Sequence, residues 1–168
     1  MSFLRNFIVL SLLISFVSAR FFNPEVFFSS KYTQKNWEVQ ECGSPDDILY
    51  LKYINITPDI IHGGEEITLE ASGFLSEDVV PGAYAHVVVK LGVVTLIKKR
   101  FDICDELYKH KDDVKLQCPI TKGDHTIVQK IQLPKETPRA AFSVHVMAYN
   151  ADDTDLTCLN IKVDFRKK

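Results

Sequence analysis

Four cysteines, Cys42, Cys104, Cys118 and Cys158, stand behind an N-terminal secretory signal, and that combination limits the fold more than any other feature. In residues 1–19, Arg5 supplies the positive n-region, and residues 7–17 form an apolar run broken only by Ser11 and Ser15. Val17, Ser18 and Ala19 put small or β-branched side chains at the cleavage positions, so cleavage is expected after Ala19. The alternative is an uncleaved anchor, but an apolar run of about a dozen residues is short against the roughly 20 that a span requires. An exported chain meets an oxidising compartment, where an even number of cysteines is normally consumed in bridges. Two disulfides are therefore expected, and four cysteines allow three pairings that spacing alone does not separate.

Beyond the signal, about 150 residues remain, enough for one domain with its own core. Removing Arg5 leaves 19 basic against 22 acidic residues, a formal charge of −3. Nucleic acid is a poor partner for such a chain, because phosphate recognition needs clustered Lys and Arg. The short basic runs at 98–100 and 166–168 read as solvated strand ends. Residues 20–40 are aromatic-rich without helical or alternating period and read as an irregular arm or a removable pro-segment, with the domain proper at 41–168.

From Ile48 onward the pattern is β. Ile67, Leu69 and Ala71 alternate with Thr68, Glu70 and Ser72, the period of a strand with one buried face. Phe142, Val144, Val146 and Ala148 repeat the pattern, as do Leu159, Ile161, Val163 and Phe165. In the first strand Leu49 and Leu51 lie on one phase and Ile54 and Ile56 on the other, which a bulge near Lys52 would reconcile. Residues 83–97 form two strands or one strand bent at Gly92, residues 126–133 supply another, and one short helix is expected near 102–107. About seven short strands with turns such as His62-Gly63-Gly64 and Pro81-Gly82 predict an all-β, immunoglobulin-like sandwich, while composition alone also allows a closed barrel.

No catalytic constellation stands out. His62, His86, His110, His125 and His145 lack the spacing that gathers imidazoles around a metal, and neither a nucleophile elbow nor a phosphate-cradling glycine loop is present. Asp152, Asp153 and Asp155 resemble part of a calcium loop without its glycine and distal glutamate, and read as a solvated acidic turn. No catalytic residue, metal ligand or cofactor is expected.

The surroundings of the cysteines carry more. Glu41-Cys42-Gly43, residues 67–73 (Ile-Thr-Leu-Glu-Ala-Ser-Gly), Gly82-Ala83-Tyr84 and Asp102-Ile103-Cys104-Asp105 occur in order with Cys118-Pro119-Ile120-Thr121-Lys122-Gly123, Leu133-Pro134-Lys135-Glu136 and Leu156-Thr157-Cys158-Leu159. In these fragments the chain resembles the ML lipid-recognition family, which includes Niemann-Pick type C2 sterol carriers, and most closely the fungal phosphatidylglycerol/phosphatidylinositol transfer proteins. The likeness runs from about Trp37 to Phe165.

The resemblance implies Cys42 paired with Cys158 and Cys104 with Cys118, and an apolar cavity between the sheets. It implies a non-enzymatic, monomeric carrier of a sterol or phospholipid that touches membranes transiently, in a vacuole- or lysosome-like lumen or outside the cell. A membrane receptor for the cargo is compatible with it. The expected mouth and wall residues are Ile60, Ile61, Val94, Leu96, Leu133, Pro138, Phe142, Val144 and Val146, around loops at 58–62 and 134–139. Asp59-Ile60-Ile61 and Thr137-Pro138-Arg139-Ala140 depart from the proline-rich turns of the fungal relatives, which leaves ligand identity open. Asn55-Ile56-Thr57 is a glycosylation sequon on the outward phase, followed directly by Pro58. The alternative from another class is a secreted immunoglobulin-like interaction or immune-recognition module with a filled core.

Overall fold

The computed structural model describes residues 35–167; the expected signal and its cleavage site, and residues 20–34 of the expected arm, lie outside the described residues. Eight strands and one helix occur in the order β1 (Trp37–Glu41), β2 (Leu49–Thr57), β3 (Glu66–Leu75), β4 (Tyr84–Leu91), β5 (Val94–Asp102), α1 (Ile103–Lys109), β6 (Gly123–Gln132), β7 (Ala141–Tyr149) and β8 (Asp155–Asp164). They form a five-stranded sheet, β1-β8-β7-β4-β5, and a three-stranded sheet, β2-β3-β6, antiparallel at every pairing. This is an immunoglobulin-like sandwich.

The strands number eight among the described residues rather than about seven, and the additional one is β1, placed by the sequence at the end of an irregular arm. Its alternation, Trp37 and Val39 against Glu38 and Gln40, spans only five residues and becomes a strand through pairing with β8, from Trp37 opposite Val163 to Glu41 opposite Leu159.

Other expectations hold in detail. The β2–β3 register shifts between Leu51 and Tyr53, so Lys52 is the extra residue that brings Leu49, Leu51, Ile54 and Ile56 onto one face. Gly92, at φ 58°, lets β4 turn into β5 within two residues. Asp102 caps α1 by accepting a hydrogen bond from the Asp105 N–H at 2.9 Å.

Register defines the inner face of the larger sheet. Ile161, Val144 and Val89 form one row across β8, β7 and β4, and Leu159, Val146 and Val87 form the next. Lys162, Ser143 and Lys90 fall on the opposite, solvated face. In the smaller sheet Leu69, Ala71, Ile127 and Ile131 face inward, while Asn55 lies outward opposite Glu70, as the sequence predicts.

The sealed core is divided. One cluster, at the end bearing α1 and the disulfide-closed loop, contains Ile48, Leu75, Val79, Ala83, Ile120, Ala148 and Leu156. The other, at the opposite end, contains Ile56, Ile61 and Ile67, with Trp37, Ile131, Leu133, Val163 and Phe165 packed on it. Each end is locked by a buried asparagine. At the α1 end Asn150 accepts from the Val80 N–H at 3.2 Å and donates to the Asp78 carbonyl at 3.0 Å. At the other end Asn36 accepts from the Ile61 N–H and donates to the Ile61 carbonyl, both at 2.8 Å. Hydrogen bonds that satisfy such buried amides hold loop backbone in one arrangement.

Candidate functional site

Between the two clusters the sandwich is not sealed. Val87, Val89, Val144, Val146, Leu159 and Ile161 from the larger sheet, with Leu69, Ala71 and Ile127 from the smaller, all retain partial access although they sit at the centre of their sheets. In a filled sandwich this is where inner-face side chains interdigitate most tightly. Here the driest residues are at the ends.

An apolar cavity of about 140 Å³ opens from this space toward α1. Leu49 and Leu51 of β2, Ala71 and Leu75 of β3, and Ile127 of β6 form one wall; Ile103, Leu116, Ile120 and Leu156 close it. Gly73 belongs to the same wall, where a Cβ would come within 2.8 Å of Leu49 Cδ1, so β2 and β3 pack closely there because glycine stands at that position. The polar side chains lining it are Ser72 and His125. Both have partners: Ser72 Oγ donates to the His125 carbonyl at 3.2 Å, and His125 Nε2 lies 2.6 Å from the Thr121 carbonyl. The lining thus makes no unmet polar demand on an occupant.

The disulfides frame this end. Cys42 is bonded to Cys158 and Cys104 to Cys118, the pairing implied by the resemblance, with Cα separations of 4.9 and 5.5 Å. Cys104–Cys118 anchors α1 to the loop leading into β6, and Gln117 Nε2 donates to the Leu107 carbonyl at 3.0 Å, folding the intervening residues over the cavity. Among the described residues one grouping of possible metal ligands is compact, Cys42, His145 and Cys158, and its two sulfurs are consumed by the bridge.

The nominated mouth and wall residues divide by position. Ile60, Ile61, Val94, Leu133, Pro138 and Phe142 lie toward the end opposite α1, where Ile61 and Leu133 share one cluster and Phe142 stands opposite Leu91 at the end of β4. Leu96 lies further along β5. Val144 and Val146 line the unsealed centre. Ile61 differs from the expectation of a mouth residue: it is 2% exposed and packed in the end cluster, because Asn36 grips its backbone from both sides and turns its side chain inward. Ile60 is partly buried, Leu133 packs on the same cluster, Pro138 is exposed, and Phe142 meets Phe165 edge-on at 5.6 Å.

None of the nine lines the cavity beneath α1. Its lining was missed because Leu49, Leu51 and Ile127 looked like ordinary inward strand positions, and Leu116 and Ile120 lie in a loop without period. The available signal was the Cys104–Cys118 bridge, which returns those loop residues to the sheet.

Val94 and Leu96 are 58% and 50% exposed on edge strand β5, and Val93 at the hairpin tip is 97% exposed. With Ile97 they form a run of exposed apolar side chains beside Lys98, Lys99 and Arg100. The inner rows of the larger sheet reach solvent along this edge.

A two-sheet antiparallel sandwich with its sealed core split between the ends and an apolar space in the middle defines a class of binding domains built around an interior ligand. The profile of the ML domain matches residues 36–165, and the chain belongs to that family. It is 40% identical over 136 residues to a phosphatidylglycerol/phosphatidylinositol transfer protein of Cryptococcus neoformans var. neoformans, covering 81% of this chain and 74% of that one. A protein of the same name from Neurospora crassa is 38% identical over 123 residues, 73% of this chain and 67% of that one. Among solved structures, a Niemann-Pick type C2 protein from Japanese carpenter ant superimposes with a TM-score of 0.54 at 18% identity, covering 76% of this chain and 98% of that chain. Chicken MD-1 complexed with lipid IVa superimposes with a TM-score of 0.52 at 19% identity over 77% and 91% of the two chains.

Proposed function

We propose that this protein is a non-enzymatic lipid carrier that takes one sterol or phospholipid between its sheets and moves it between membranes. The observation that carries the reading is the divided core: both ends are sealed, and between them the sheets leave a largely apolar space that runs into a cavity whose polar side chains, Ser72 and His125, are already hydrogen-bonded. Burial of ligand hydrocarbon there contributes about 25 cal/mol per Å², which replaces water around the extracted chain without a charged anchor. The cavity of about 140 Å³ is smaller than the roughly 300 Å³ at which ligand pockets begin. Loading therefore needs the two sheets to part along the side where edge strands β5 and β6 stand unpaired with each other.

The exposed Val93, Val94 and Leu96 beside Lys98, Lys99 and Arg100 suit contact with an anionic membrane surface. The apolar tip enters the interface and the cations meet the headgroups. Two disulfides, behind the expected secretory signal, support a lumenal or extracellular site of action. Transfer of fluorescent phosphatidylglycerol, phosphatidylinositol and sterol between donor and acceptor vesicles tests the proposal. Acceleration of at least one lipid in proportion to protein concentration is expected, and no acceleration of any of them would refute it.

A further inference from the structure

Trp37 is the chain's single tryptophan. Among the described residues, its indole Nε1 is the buried side-chain polar atom that has no hydrogen-bond partner. An unpaired buried donor carries a desolvation penalty that a paired one avoids, and native structures keep few of them. Phenylalanine would fill much of the same space without that penalty, so packing alone does not account for an indole here.

Its position suggests the missing acceptor. Trp37 lies on the inward phase of β1, opposite Val163, in the row that continues through Phe142 and Leu91. It packs on Ile56, Ile61 and Ile67 between the sheets, at the end away from α1. Lys35 Nζ stands 4.3 Å over the indole ring and 3.6 Å from Asp59. Beside it runs a groove of about 580 Å³ in which Lys35, Lys162 and Lys167 stand around the apolar Trp37, Phe142 and Val163. Both ends are packed, but the cavity beneath α1 is lined almost wholly by apolar side chains whereas Lys35, Lys162 and Lys167 stand around Trp37, so a lipid between the sheets puts its hydrocarbon toward α1 and its oxygens toward Trp37.

Resting on the carrier reading above, we propose that the Trp37 N–H donates a hydrogen bond to an oxygen of the bound lipid, setting which way round the lipid lies. A sterol hydroxyl, an ester carbonyl and a phosphate oxygen all offer the required acceptor. Trp37 is on this view a positioning residue for the cargo.

The test uses the full secreted protein, stripped of lipid and offered phosphatidylglycerol or cholesterol. Its readouts are affinity from radiolabelled lipid and the single indole ¹H–¹⁵N resonance before and after loading. The Trp37→Phe variant is expected to bind about fivefold more weakly, the size of one lost neutral hydrogen bond, and the wild-type indole proton is expected to move downfield on loading. Wild-type binding with an unmoved indole signal, or with equal affinity in a folded Trp37→Phe variant, overturns the role of Trp37 and leaves the carrier reading standing. Failure of the wild type to bind either lipid overturns both. Should the variant not fold, the wild-type indole shift decides alone.

Discussion

Truncating one residue in a sealed end and one in the open middle separates a divided core from a filled one. Ile61 is 2% exposed, lies within a closed cluster, and has its backbone fixed by two 2.8 Å hydrogen bonds to Asn36. The loop cannot collapse into the space left by Ile61→Ala, which places the cost in the upper part of the 2–5 kcal/mol range for such truncations, about 4 kcal/mol. Val144 faces the unsealed space and keeps partial access. Val144→Ala removes less buried surface and enlarges a gap that already exists, so its cost is about 1 kcal/mol. Urea unfolding of the lipid-free protein, monitored by circular dichroism, measures both. Equal slopes are expected, with the drop in midpoint roughly fourfold larger for Ile61→Ala. A loss of about 3 kcal/mol or more for Val144→Ala would mean that the centre is packed like the ends, and the cavity argument would fail.

Further outcomes concern the frame, the edge and the C-terminus. Replacing Cys42 and Cys158 by serine releases a cross-link spanning 116 residues and is expected to cost about 5 kcal/mol; the same change at Cys104 and Cys118, 14 residues apart, costs about 3 kcal/mol, both measurable by urea denaturation. Val93→Asp combined with Val94→Asp should slow transfer between anionic vesicles severalfold, while the thermal midpoint moves by no more than about 2 °C, because both side chains are already exposed. Arg166 donates to both carboxylate oxygens of Asp164, at 2.8 and 2.9 Å, and holds that carboxyl at about 2 instead of the ordinary 3.8. A folded-state value below the unfolded one stabilises above about pH 4, and that contribution disappears as pH falls through about 2. NMR titration should therefore show Arg166→Ala raising the Asp164 value toward 3.8.

Much of the sandwich was legible because burial on one face leaves a period of two. The alternations at 67–72, 142–148 and 159–165 became β3, β7 and β8, and the phase change between Leu51 and Ile54 marked the bulge at Lys52. β1 was obscured because five residues carry too little period, and its existence depends on β8, more than a hundred residues away. Loop residues were harder still. Two adjacent isoleucines suggest an exposed apolar mouth, but the outcome for Ile61 was decided by Asn36, a distant polar residue whose amide matched its backbone. The cavity beneath α1 depended likewise on Leu116 and Ile120, which only the closed disulfide loop returns to the sheet. Local pattern reports which face a strand buries; it does not report how far apart two buried faces stand.

That separation is the central claim, and native mass spectrometry of the purified protein after exposure to mixed sterol and phospholipid vesicles tests it most directly. The prediction is a one-to-one complex with a single lipid, retained in the gas phase and lost when Val144 and Val146 are both replaced by tryptophan to fill the gap. Protein free of lipid under every vesicle composition, or lipid bound equally by the filled variant, would contradict it.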